Sequence, residues 1–147
     1  MENYPKNTNI RTVSRPSSVL PATAQVPYFT VTGKVLITQI VGEVTIVFDG
    51  TANSLKLVSN PTVGADVDLC TAVVATTDAK GTIYNITGTL SDAMVATTSG
   101  AVIGQVNSIL VTSGTIDLDA TATDTTGSTK WTVQYIPLDE GSKIVIA

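Results

Sequence analysis

Alternation at every second residue constrains this chain most. In Lys130–Ile136 the side chains of Trp131, Val133 and Tyr135 fall on one side of an extended backbone, and in Glu43–Phe48 those of Val44, Ile46 and Phe48 do the same. A period of two marks a strand with one face buried and the other solvated. Threonine and valine recur throughout; both lose χ1 freedom in a helix and pack well on a pleated surface. Further strand candidates are Tyr28–Thr32, Val35–Ile40, Ser54–Val58, Asp68–Ala75, Thr82–Thr87, Ala101–Val111, Thr115–Ala122 and Ser142–Ile146. Turn chemistry separates them at Asp49-Gly50, Asn60-Pro61, Lys80-Gly81, Ser99-Gly100, Ser113-Gly114, Thr126-Gly127 and Glu140-Gly141. Short strands at such regular spacing predict an all-β fold, a single β-sandwich or jelly-roll-like domain, rather than βαβ units. A helical turn competes only at Leu90–Ala96, where Ser91 or Asp92 can cap it.

The first 27 residues depart from this pattern. Pro5, Pro16, Pro21 and Pro27 fall there, and proline fixes φ and removes an amide donor. Lys6, Arg11 and Arg15 against Glu2 give the segment a net +2, so the remainder carries −6 of the formal −4. The expected organisation is an extended N-terminal arm over 1–27 and a β body over 28–147. The body is long enough for one two-layer core.

Catalytic chemistry finds little to work with. There is no histidine, which excludes Ser-His-Asp and Cys-His nucleophile systems and His-ligated zinc, and one cysteine cannot form a metal cluster. Cys70, within Val67-Asp68-Leu69-Cys70, is expected as a small buried side chain. The acidic pairs Asp66/Asp68 and Asp117/Asp119 each lie on one face of a strand, a geometry that can hold Ca²⁺ or perform acid–base work. Val67 and Leu69, and Ile116 and Leu118, interleave with the acids as a core face does with its solvent face, which favours ordinary solvated carboxylates over a metal or catalytic site. Trp131 is expected as a core anchor rather than a stacking platform. The body's five lysines are widely spaced, which disfavours nucleic acid as a partner, and no apolar run approaches the length of a membrane-spanning helix. The start, Met1-Glu2-Asn3-Tyr4-Pro5-Lys6, lacks the charged and apolar regions of a secretory signal, so synthesis in the cytoplasm is expected. The expectation is a non-enzymatic protein with no cofactor and no tightly bound metal.

Several segments carry a resemblance. Leu20-Pro21-Ala22, Phe29-Thr30-Val31-Thr32-Gly33, Val41-Gly42-Glu43-Val44-Thr45, Asn60-Pro61-Thr62-Val63-Gly64, Asp68-Leu69-Cys70 and the ending Lys130–Asp139 resemble small virion structural proteins of tailed bacteriophages. Within that group the nearest role is the capsid decoration, or cement, protein. The resemblance implies a small β domain on the outside of the phage head, often a homotrimer, whose arm grips neighbouring subunits of the major capsid protein. An arm of 27 residues reaches up to about 90 Å when extended at about 3.3 Å per residue. Tyr4, Ile10, Val13, Val19, Leu20 and Val26 would be its apolar anchors, and Arg11 and Arg15 would meet acidic groups on the partner. Ile144, Val145 and Ile146 are apolar on both faces, which predicts a doubly covered strand, deep in the fold or at a subunit interface. Two other roles stay open: a tail component, tube- or fibre-associated, and a carbohydrate- or calcium-binding module.

Overall fold

A computed structural model describes residues 10–147 and contains twelve strands and no helix among them. In chain order they are β1 (Arg11–Val19), β2 (Gln25–Thr32), β3 (Val35–Ile46), β4 (Ser54–Pro61), β5 (Val67–Asp68), β6 (Val73–Val74), β7 (Ile83–Asn85), β8 (Val95–Thr97), β9 (Ile109–Val111), β10 (Gly114–Ala120), β11 (Ser128–Pro137) and β12 (Lys143–Ile146). One sheet runs β1-β11-β3-β7-β8, with β9 also on β3; the other runs β12-β2-β10-β4-β5, with β6 also on β4. All ladders are antiparallel.

The pairings describe one long ribbon folded on itself. β1 pairs β11, β2 pairs β10, β3 pairs β7 and β9, and β4 pairs β5 and β6. Successive rungs of that ribbon fall alternately in the two sheets, so the fold is a β-sandwich of two antiparallel sheets. The inner faces bury Phe29, Ile37, Ile40, Leu57, Ile116, Leu118, Trp131 and Val133 between them.

Trp131 fixes the centre of the first sheet. It is 1% exposed, its indole lies nearly parallel to the Tyr84 ring at 6.1 Å between centroids, and its Nε1 donates to Thr129 Oγ1 at 3.1 Å. The indole crosses above Gly42, its cross-strand partner, so closely that a Cβ there would sit 2.6 Å from a ring carbon. Gly42 is therefore a site of close approach within a strand and not a break. For this reason the two expected strands Val35–Ile40 and Glu43–Phe48 are one twelve-residue strand, β3.

Other boundaries moved for polar reasons. Of the expected strand Ala101–Val111 only Ile109–Val111 pairs; the rest is an exposed loop held by side-chain amides. Asn85 Nδ2 donates to the Ile103 carbonyl, the Gln105 amide donates to Gln39 Oε1 at 2.8 Å, and Gln105 Nε2 donates to the Ile37 carbonyl at 3.2 Å. Of Asp68–Ala75, only the two-residue strands β5 and β6 pair, on either side of buried Leu69 and Cys70. Burial pushes the Cys70 thiol up. Leu90–Ala96 forms no helix: the Thr71 amide donates to the Asp92 carbonyl and the Met94 amide to the Thr71 carbonyl, which draws the segment into an extended bridge.

The division at residue 27 does not separate two units in the described residues. Residues 11–19 form the edge strand β1, and residues 25–27 already belong to β2. The prolines are accommodated where a missing donor costs least. Pro16 lies in a bulge between Arg15 and Ser18 on the sheet edge, Pro21 lies in the connection to β2, and Pro27 lies beyond the end of the flanking β12 at a second bulge.

Two connections are locked to each other at one end of the sandwich. Asp49 Oδ2 accepts from the Thr125 amide and hydroxyl at 2.7 and 2.8 Å, and its Oδ1 accepts from the Thr51 amide at 2.8 Å. Asp124 reciprocates: it accepts from the Asp49 amide at 2.9 Å, and from the amides of Thr126 and Gly127. The amide donors, that of Thr125 foremost, hold the Asp49 carboxyl well below the usual carboxylate range. A depressed folded pKa contributes stability above the unfolded value and loses it as pH falls through the folded one. Asp49→Asn should therefore destabilise at neutral pH, with a difference from the wild type that shrinks as pH drops below the ordinary carboxylate range. Denaturant titrations of both proteins at neutral and acid pH measure this, and a pH-independent difference would contradict it.

Candidate functional site

The residues expected to contact partners gather along one side of the sandwich. β1 is the edge of the first sheet and β12 the edge of the second, and the two edges lie alongside each other. Arg15 spans the gap. Its guanidinium sits 4.3 Å from the centroid of the Tyr28 ring on β2, and Nη1 donates to the Ala147 carbonyl at 3.3 Å. A cation over an aromatic face is attracted by the ring quadrupole, so Arg15 is a staple between the sheets. This differs from the expectation of a free charge awaiting an acidic partner. Burial raises the Tyr28 hydroxyl's pKa, which keeps it a neutral donor to the Val19 carbonyl at 3.4 Å.

The other anchors divide. Val13 and Val26 are half-buried against the core and Leu20 is fully buried, so these three serve the fold. Ile10 and Val19 are 54% and 67% exposed. Arg11 lines a shallow depression with Asp139, Glu140 and Lys143. Tyr4 lies outside the described residues. In β12 Ile144 pairs with Val31 and is buried, whereas Val145 and Ile146 are 42% and 43% exposed. The expected double cover is thus absent within this one chain: β12 is an edge strand, half of whose apolar surface faces outward. The two adjacent edges thus carry exposed apolar side chains, Ile10 and Val19 at the ends of β1 and Val145 and Ile146 on β12, with Arg11 at the start of β1.

The outer face of the first sheet is dressed with hydroxyls. Ser14 bonds Thr132 at 3.0 Å, Ser17 bonds Thr45, and Thr38 donates to the Gln134 carbonyl at 3.1 Å. At one end this face turns apolar, where Ile136, Leu36 and Leu110 sit side by side on β11, β3 and β9. Such a surface has the chemistry of a broad protein contact rather than of a steered charged ligand.

The acidic pairs noted in the sequence are regrouped across strands. Lys56 Nζ lies 2.9 Å from Asp68 and 4.0 Å from Asp119, a partly exposed cluster in which the hydrogen bond to Asp68 raises the lysine pKa. Asp66 and Asp117 share another group instead: Gln25 Nε2 donates to Asp66 at 3.0 Å and to Asp117 at 2.8 Å. Sequence reasoning missed Gln25 and Asn60 as partners of Asp117, because their proximity depends on the pairing of β2 and β4 with β10. No cluster of three or more potential metal-ligating histidine, cysteine or acidic side chains occurs among the described residues. No protein-family model, curated protein or solved structure matches the chain.

Proposed function

We propose that this protein is a non-enzymatic structural component of a tailed-phage virion, bound to the outside of the head as a decoration protein that stabilises the capsid. The observation that carries the reading is the pair of adjacent sheet edges, β1 and β12, which carry exposed apolar side chains at Val19, Val145 and Ile146, with Ile10 and Arg11 at the start of β1. The β-sandwich is compatible with this role but hosts many others, so fold analogy alone does not choose the function. The sequence resemblance narrows the choice, and the hydroxyl-rich outer sheet supplies a neutral surface suited to packing on protein. The partner is then the major capsid protein, with further copies of this chain, as a trimer, completing the contact.

The test is direct: cryo-microscopy of virions carrying the protein, with a binding assay on isolated heads. Copies on the head surface with the β1–β12 side against the shell are the expected result. Replacing Val19 and Val145 by Ser should weaken head binding while leaving the melting transition near that of the wild type, since both side chains are exposed. Density confined to the tail would replace this reading with that of a tail component.

A further inference from the structure

The outer face of the second sheet contains a carboxyl group that the fold satisfies at only one of its two oxygens. Asp117 alternates along β10 with the core residues Ile116 and Leu118, so its side chain points away from the core, yet it is 1% exposed. The connection carrying Asp66, between β4 and β5, reaches back to β2 and helps to cover it. Asp117 Oδ2 accepts from Gln25 Nε2 at 2.8 Å and from Asn60 Nδ2 at 3.3 Å, whereas Oδ1 is buried with no hydrogen-bond partner among the described residues. Buried polar atoms without partners are rare in folded proteins, and for a carboxylate oxygen the cost is high. Among the described residues no cation pairs with Asp66 or Asp117, since Lys56 is engaged by Asp68 and Asp119.

We propose that Asp66 and Asp117, with the side-chain amides of Gln25 and Asn60, form a binding site for a calcium-sized divalent cation. The four side chains converge from β2, β4, β10 and the β4–β5 connection. One amide nitrogen now bridges the two carboxylates at 3.0 and 2.8 Å. Oxygens about 3 Å apart can share one calcium at about 2.3–2.6 Å from each, so an ion beside the bridging amide, in contact with it and both carboxylates, needs little movement of the backbone. Rotating each amide about its terminal bond presents a carbonyl oxygen where the NH₂ now points, which turns both donors into ligands. Two carboxylates, two amide oxygens and water make an all-oxygen set on flexible side chains, which suits calcium better than the strict octahedron of magnesium. Entry is from the side of Asp66, which is exposed. A site of this weak kind is compatible with the expectation of no tightly bound metal, and it does not depend on where the protein sits in a virion.

Isothermal titration of CaCl₂ into the metal-stripped full chain tests it, with melting curves in parallel. Saturable binding with a dissociation constant of about 0.1–1 mM, the range of sites with few charged ligands, is expected together with a calcium-dependent rise in melting temperature. Asp66→Asn and Asp117→Asn should each weaken binding about tenfold or more, whereas Asp68→Asn, which alters the Lys56 pair instead, should change it by less than about twofold. Because Asp66 is exposed, its variant should keep the fold, which the melting curve without calcium verifies. Absence of saturable binding up to about 10 mM CaCl₂ would overturn the site. Equal loss in Asp68→Asn would also overturn it, by reducing the effect to diffuse surface charge, and equal affinity for MgCl₂ would overturn the size selectivity.

Discussion

Replacing Trp131 by Ala should lower the free energy of unfolding by about 3–5 kcal/mol, the largest effect expected of any single substitution in this chain. The indole is buried between the sheets, stacks on Tyr84, donates to Thr129 and covers Gly42. Its removal leaves a cavity, strips the face of Tyr84 and orphans the Thr129 hydroxyl. Equilibrium denaturation in urea should show the midpoint fall with little change in slope. The reverse error should also register, because Gly42→Ala places a Cβ against the ring and should cost about 1–3 kcal/mol by overpacking. Combining the two should cost less than their sum, since the alanine methyl then enters the space the indole has left. A Trp131→Ala variant as stable as the wild type, or strict additivity in the pair, would show that the ring does not organise this part of the core.

Deleting residues 1–19 should be as damaging as the loss of a core side chain. β1 pairs seven of its nine residues with β11, places Val13 against the core, and carries the Arg15 staple over Tyr28. Without it β11 becomes an exposed edge of ten residues, a template for pairing with other chains. The truncated protein should lose a substantial part of the roughly 5–15 kcal/mol that stabilises a domain of this kind, and should associate when concentrated. Deletion of residues 1–9 alone should leave the melting transition close to that of the full chain. Calorimetry and sedimentation of both truncations distinguish the outcomes. Should the shorter chain lacking β1 melt and sediment like the intact protein, the edge strand is decoration and the arm boundary at residue 27 is the better description.

The difference between that boundary and the observed one shows what the sequence could express. The β body was legible because Val44, Ile46, Trp131, Val133 and Tyr135 alternate, and alternation is a local property. The segment 11–19 offered only Val13 and Val19 as apolar residues and a proline between them, so local pattern argued for an arm. What draws it into the sheet is the free edge of β11, more than 100 residues away, together with a bulge that absorbs Pro16. The join between Val35–Ile40 and Glu43–Phe48 was hidden for a similar reason: continuity through Gly42 depends on the indole packed above it, which comes from a strand far away in the sequence. For the candidate site, exposed Ile10 and Val19 could be named from composition, but Arg15 could not be recognised as an internal staple without Tyr28 beneath it. The acidic pairs were read along their own strands. Their true partners came from neighbouring strands, and register across a sheet is written in long-range pairing, not in spacing.

The distance between β1 and β11 along the chain has a consequence for how the molecule comes into being. The Ser14–Thr132 bond closes a loop of 118 residues, and every rung of the ribbon outside the β4 turn joins segments far apart in sequence. Proteins dominated by such non-local pairing fold slowly, because chain entropy is lost before the contacts that compensate for it can form. During synthesis β1 leaves the ribosome more than 100 residues ahead of its partner β11. Until β11 has emerged, β1 waits as an unpaired edge, and the contact of Arg15 with the Ala147 carbonyl forms later still.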